Sequence, residues 1–110
     1  LLIGDDVLPA GLTLGRGVTR AVDLEFELAT QLALTSISDG FMGMASGLCT
    51  AANLSEVPHV IFKHPAHHSA AMAIELGSLV SFPFANQRQQ LWRRETDSAS
   101  LDEALDLILS

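Results

Sequence analysis

Cysteine, basic residues and long apolar runs are all scarce in this chain of 110 residues, and each scarcity removes a class of protein. A single cysteine, Cys49, rules out a disulfide framework within the chain. Six Lys and Arg stand against 13 Asp and Glu, a formal charge of -7. Duplex-binding modules need a basic face for phosphate contacts, and here only Arg88, Arg93 and Arg94 cluster, so nucleic acid is not an expected partner. No uninterrupted apolar run approaches the ~20 residues of a membrane helix. The longest candidate, Phe41 to Leu54, is broken by glycines, Ser46, Thr50 and Asn53. The chain therefore reads as soluble and cytoplasmic, without a membrane span. Internal repeats and low-complexity tracts are absent as well.

What is present suits one domain. Hydrophobic residues make up 48% of the chain, and a domain of this length buries roughly two thirds of the surface its unfolded form exposes, enough for a core without metal or disulfide staples. The first residue is not Met, and Leu1-Leu2-Ile3-Gly4 reads as a buried strand entered midway. The expectation is one domain over 1–110, a fragment of a longer polypeptide.

Hydrophobic periodicity sets the order of elements. After the opening strand, Asp5-Asp6 and the Gly-rich stretch from Pro9 to Gly17 read as a long loop. A short strand is expected from Val18 to Val22. Leu24, Leu28, Leu32, Ala29 and Ala33 recur at spacings of three and four and predict an amphipathic helix from Asp23 to Ser38, stopped at Asp39-Gly40. Phe41 to Ala45 is a short apolar strand followed by a helix from Gly47 to Leu54. Val57 to Lys63 is the clearest strand, confined by Pro58 and Pro65. A helix from Ala66 to Leu76, ended by Gly77, and a strand from Leu79 to Phe82 or Phe84 come next. Gln87 to Thr96 is polar and reads as a helical turn carrying Trp92. Ser100 followed by Glu103 has the spacing of a capping box and opens the last helix, with Leu101, Leu105, Ile108 and Leu109. Strands alternating with helices over short connections predict an α/β domain with a mainly parallel sheet, and place any ligand outside the carboxyl ends of the strands.

Gly43-Met44-Ala45-Ser46-Gly47 is the most informative segment, because a buried strand there hands over to a helix at that edge. Glycines at 43 and 47 and Ser46 allow a ligand close to the backbone. Amides of Gly47, Leu48 and Cys49 at a helix start favour an anionic group, with hydroxyls of Ser46 and Thr50 as further donors. The alternative is that Ser46 caps its own helix and the glycines relieve crowding. Lys63, at the carboxyl end of the best strand, and Arg16, between Gly15 and Gly17, could each offset charge on a departing diphosphate or be solvated cations on an acidic surface. Histidines stand at 59, 64, 67 and 68. His64 and His68 have the spacing of two metal ligands on one helix face, but Pro65 intervenes and no third ligand is near, so no metal is expected. His64 is a candidate ligand contact at the same edge, or an exposed helix-start residue. Asp5 and Asp6 suit either a ribose contact or a turn. Cys49, Met42, Met44 and Met72 read as core filling. Trp92 with Arg93 and Arg94 suits either a base or a sheet cover, and Gln87 and Gln90 are possible base or sugar contacts.

The order of these motifs, a helix ending in Ser38-Asp39-Gly40, the strand Phe41 to Ala45 with its Ser46-Gly47 turn, the helix with Thr50 to Pro58, and the strand segment His59 to Pro65, resembles the second nucleotide-binding half of GT-B glycosyltransferases, most of all heptosyltransferase-like bacterial enzymes. Ser46-Gly47 matches the small-residue turn and Val57-Pro58 with Val60-Ile61-Phe62 the strand; Leu48-Cys49 departs from the Pro and small polar residues often found there. The resemblance spans about Ile3 to Leu109 and implies a Rossmann-like donor-binding half, a nucleoside diphosphate sugar held by Ser46 to Thr50 with Gly43, Lys63, His64 and Arg16 nearby, no cofactor, and a catalytic base supplied by an acceptor domain outside this chain. A nucleotide-sugar epimerase of the same architecture is the alternative enzyme. A non-enzymatic α/β domain, binding a phosphorylated ligand or presenting Phe82, Phe84 and Trp92 to a partner, is the alternative outside catalysis. The nucleobase, sugar, acceptor and stereochemical course are not readable from these residues.

Overall fold

A computed structural model describes residues 1–4, 10, 11, 13, 15–66, 69–75 and 79–110. Among these residues three parallel strands form a sheet, β1 (Phe41–Met44), β2 (His59–Phe62) and β3 (Gln89–Trp92), in the order β1-β2-β3. Four helices flank it: α1 (Leu28–Ser36), α2 (Thr50–Asn53), α3 (Ser69–Glu75) and α4 (Ser98–Leu109). The architecture is α/β and Rossmann-like, with the parallel sheet that the alternation of elements predicts. Among the described residues no helix is long and apolar enough to cross a membrane.

The middle strand explains the layers. All four residues of β2 are buried, as a central parallel strand requires, and its Val60-Ile61-Phe62 run supplies apolar side chains to both faces. Ile61 joins Leu91, Cys49 and Met72 on one face, with Phe41, Ala45 and Phe82 packed around them. Val60 and Phe62 join Trp92, Ala104 and Ile108 on the other, under α4. The register aligns Gly43, Ile61 and Leu91 on one rung and Met44, Phe62 and Trp92 on the next. Period-two alternation thus assigns neighbouring rungs to opposite cores. Phe62 and Trp92 meet edge to face at 5.6 Å between centroids.

Several expected elements fall elsewhere. Gln89 to Trp92 is the third strand, not a helical turn. Its polar Gln89 is tolerated in the interior, 3% exposed, because the amide is satisfied at both ends. Nε2 donates to the carbonyls of Ser55 (2.6 Å) and Val57 (3.0 Å), and Oε1 accepts from the Asn86 amide (3.0 Å). Residues 79–84 form no strand: they run beside β3, where the Val80 carbonyl accepts from Leu91 N at 2.6 Å, and Pro83 has no amide to extend the pairing. The expected strands at the start reduce to one parallel bridge between Leu2 and Arg20, and Leu1 and Leu2 are exposed. The helix expected from Asp23 is interrupted, since Val22–Leu24 is a 3-10 turn closed by Glu25 in the left-handed region at φ 57°, and α1 starts at Leu28. The Gln31 side chain ties that turn together, accepting from Gly4 N at 2.8 Å and donating to Phe26 O at 3.0 Å.

At α4 the cap is Asp97, whose carboxylate accepts from Ser100 N at 2.8 Å; Ser100 itself is buried in the first turn, so Ser100 to Glu103 is no capping box. That bond holds the Asp97 carboxyl below its ordinary range. The expected helix from Ala66 begins at Ser69, after a turn at Pro65-Ala66. Its expected end at Leu76-Gly77 lies outside the described residues, as do Asp5, Asp6 and Pro9 of the first loop.

Two features of this packing have measurable consequences. Gly40 lies where α4 crosses the start of β1, and a Cβ there would overlap Cγ2 of Ile108 with the Pro58 carbonyl 3.5 Å away. Gly40→Ala is expected to cost about 1–3 kcal/mol by overpacking. Chemical denaturation would measure it, with Ile108→Ala in the same chain removing the extra penalty. His59, buried with Nδ1 3.1 Å from the Val57 carbonyl, has its pKa lowered from 6.5 by desolvation, which the carbonyl contact opposes. The unfolded chain therefore takes up the proton first as pH falls below about 6.5, and stability declines from there toward the folded value. A His59→Asn variant should show a flatter loss of Tm between neutral and mildly acidic pH; an unchanged slope would assign the loss to other groups.

Candidate functional site

Parallel strands end together, and the residues next after each strand share one edge of the sheet. Ala45 N donates to the Phe62 carbonyl at 2.9 Å and Lys63 N to the Trp92 carbonyl at 2.9 Å, so the ladder runs one step past the strands. Ser46-Gly47, Lys63-His64 and Arg93-Arg94 are thereby brought to a common carboxyl edge. Three of the six Lys and Arg in this acidic chain come directly after β2 and β3 there.

At the β1 end the geometry is tighter than a full helix start. Gly47–Cys49 is a 3-10 turn running into the four-residue α2, shorter than the helix expected over Gly47 to Leu54. Ser46 is extended and its hydroxyl makes no cap; instead its carbonyl accepts from Cys49 N at 3.2 Å and from the Cys49 thiol at 2.8 Å. Buried Cys49 belongs to the core with Ile61 and Met72, as its apolar character suggests. Gly47 and Thr50 are exposed, and Leu48 is half-buried against Gly4. Any anion contact here comes from individual exposed amides and hydroxyls, since α2 is too short for an appreciable dipole. Gly43 lies within β1, where a Cβ would sit 3.1 Å from the Phe41 ring.

Cations on the neighbouring strand ends are partly held. Arg93 donates through Nη2 to the Pro65 carbonyl at 3.1 Å, while its buried Nε has no acceptor among the described residues. Arg94 lies 3.7 Å over the Trp92 ring and pairs with Glu103 at 3.0 Å. His64 Nδ1 accepts from Ala66 N at 3.2 Å and Nε2 lies 3.8 Å from the Glu95 carboxylate, with the ring largely exposed. Arg16 is exposed in the turn closed by Val18 N and Gly15 O at 3.2 Å, and among the described residues no contact joins it to the other candidates. Trp92 is buried between Phe62, Arg94 and α4, with its Nε1 donating to Gln90 Oε1 at 2.7 Å, so it covers the sheet rather than offering a face. Phe84 is exposed and stacks on Phe82 at 5.4 Å. Gln87 holds the strand entrance, its carbonyl accepting from Gln90 Nε2 at 3.3 Å.

Cavities among the described residues border this edge. One of about 420 Å³ lies between Leu1–Ile3, α1 and β1, reaches Ser46 and Leu48, and has no charged side chain among the described residues that line it. Another, about 570 Å³, lies beside β3 and contains Gln90, Arg93, Arg94 and Glu103 with Leu79 and Val80. Among the described residues no three His, Cys, Asp or Glu converge on a possible metal position, and His67 and His68 lie outside those residues.

Sequence reasoning misses Arg93 as a neighbour of Lys63, because the polar Gln89-Gln90 start hides β3. The signal was available in the pattern: Leu91-Trp92 with Arg93-Arg94 immediately after it repeats the apolar pair and cation of Ile61-Phe62-Lys63. No protein-family model, curated protein or solved structure matches the chain. Because a Cβ at Gly47 would meet nothing within 4 Å, Gly47→Ala should leave Tm within a degree or two of the parent in a thermal melt. A large drop would show that the turn depends on glycine.

Proposed function

We propose that this chain is the donor-binding unit of a glycosyltransferase, holding the diphosphate of a nucleoside diphosphate sugar at the carboxyl edge of its sheet. One observation carries the reading: an acidic chain collects Lys63, Arg93 and Arg94 after two adjacent strand ends, beside the Ser46-Gly47 turn. Acidic surfaces repel nucleotides, so a local basic edge gives an anionic ligand its favourable approach. In this reading Lys63 and Arg93 meet the phosphates. Arg94, committed to Trp92 and Glu103, shapes the wall of the larger cavity beside β3. Exposed amides and hydroxyls of residues 46–50 supply the remaining donors, without a metal ion. The motif resemblance adds the sugar and the transfer reaction, with the acceptor and the catalytic base on a domain outside this chain.

Amide NMR titration of the chain with UDP-, GDP- and ADP-type ligands, with and without a divalent cation, tests this reading. Saturable, metal-independent shifts at Ser46–Thr50, Lys63 and Arg93 are expected with one base. Lys63→Met should weaken that binding at least ~10-fold, the loss of one charge-assisted contact. Gly47→Asp, which sets a carboxylate in open space beside the turn, should weaken it while leaving the fold intact. A folded sample without shifts at these residues, or with affinity unchanged in both variants, overturns the assignment.

A further inference from the structure

Helix α4 carries more leucine than its packing uses. Ser100, Ala104 and Ile108 are buried against β1 and β2, at the spacing of one helix face. Leu101, Leu105 and Leu109, also four residues apart, form a second row that remains 38%, 46% and 69% exposed. Exposed Asp102 and Asp106 lie three residues before Leu105 and Leu109, so on the wheel the acidic row borders the leucines on the side away from the sheet. No Lys, Arg or His occurs from Glu95 to Ser110. On the opposite flank Glu103 is paired with Arg94.

A single row of apolar side chains at helical spacing fits one partner helix. Charge decides which. A second copy would bring another acidic row against Asp102 and Asp106 with no cation on either helix to compensate. The area argues the same way, because three partly exposed leucines offer on the order of 300 Å² against the ~800 Å² per partner of a stable dimer. We infer that α4 docks an amphipathic helix of another protein whose apolar stripe is flanked by Lys or Arg. Leu101, Leu105 and Leu109 receive its apolar side chains, and Asp102 and Asp106 fix its register. The contact is modest in area, and its affinity depends on salt because both carboxylates are exposed.

The probes are two synthetic helical peptides of about 18 residues, long enough for helix formation, identical in their leucines and flanked either by lysines or by glutamates. In amide NMR titrations of the chain, the lysine peptide should give saturable shifts over Leu101–Leu109, weakening at least ~10-fold between low and high salt. The glutamate peptide should give none. Exchanging both carboxylates, as D102K with D106K, should reverse that preference, and L101S with L105S should abolish binding while the β2 amides stay unchanged, since these positions are exposed. Equal binding of both peptides, no binding by the folded chain, or an unaltered preference in the lysine variant overturns the proposal. So does a dimer in sedimentation that Leu105→Ser disperses, which would make a second copy the occupant.

Discussion

Strand β2 has no solvent side, and that constraint organises the molecule. A strand buried on both faces requires a partner along each edge and a layer above and below. The chain supplies β1 and β3 for the edges, α3 and the Cys49 turn for one face, and α4 for the other. Ile61 and Phe62, consecutive residues, belong to separate cores. Burying each such side chain contributes roughly 1.5–3 kcal/mol, so these few positions supply much of the driving force available to a small sheet. The buried amide of Gln89 belongs to the same scheme, since it closes the loop carbonyls of Ser55 and Val57 that the strand leaves at its entrance.

The cationic edge is a by-product of that stacking. Register makes the residue after each strand a neighbour of the residue after the next, so strand pairing by itself gathers the cations at the ends of β2 and β3. Like charges so placed repel, and the chain meets this with acceptors: the Pro65 carbonyl for Arg93, Glu103 and the Trp92 ring for Arg94.

Those parts of the fold that depend on hydrophobic pattern were readable in advance, and those that depend on polar satisfaction were not. Val60-Ile61-Phe62 could hardly be anything but a buried strand, and Phe41 to Met44 was equally plain. Gln89-Gln90 looked like surface because the carbonyls that bind Gln89 lie more than thirty residues earlier in the chain. Leu79 and Val80 looked like a strand but give β3 only one carbonyl before Pro83 intervenes. Ser100 has the composition of a cap, but it is needed in the core, and Asp97 takes the capping role instead. At the candidate site, Ser46, Gly47 and Lys63 were visible because their strands were, whereas Arg93 was hidden with β3. Arg16 stands between Gly15 and Gly17, and glycines mark a turn without saying which surface it faces.

Strand order in the sheet repeats strand order in the chain, β1 then β2 then β3. Each pairing therefore closes the loop between consecutive strands, and none must thread past another. The β1–β2 loop is the shorter, so its closure is entropically the less demanding of the two. Until β3 arrives, β2 presents an open edge of unpaired amides and carbonyls beside exposed Ile61 and Phe62. The speed of that second closure, more than the final stability, sets how long a nascent chain carries a surface able to pair with its neighbours.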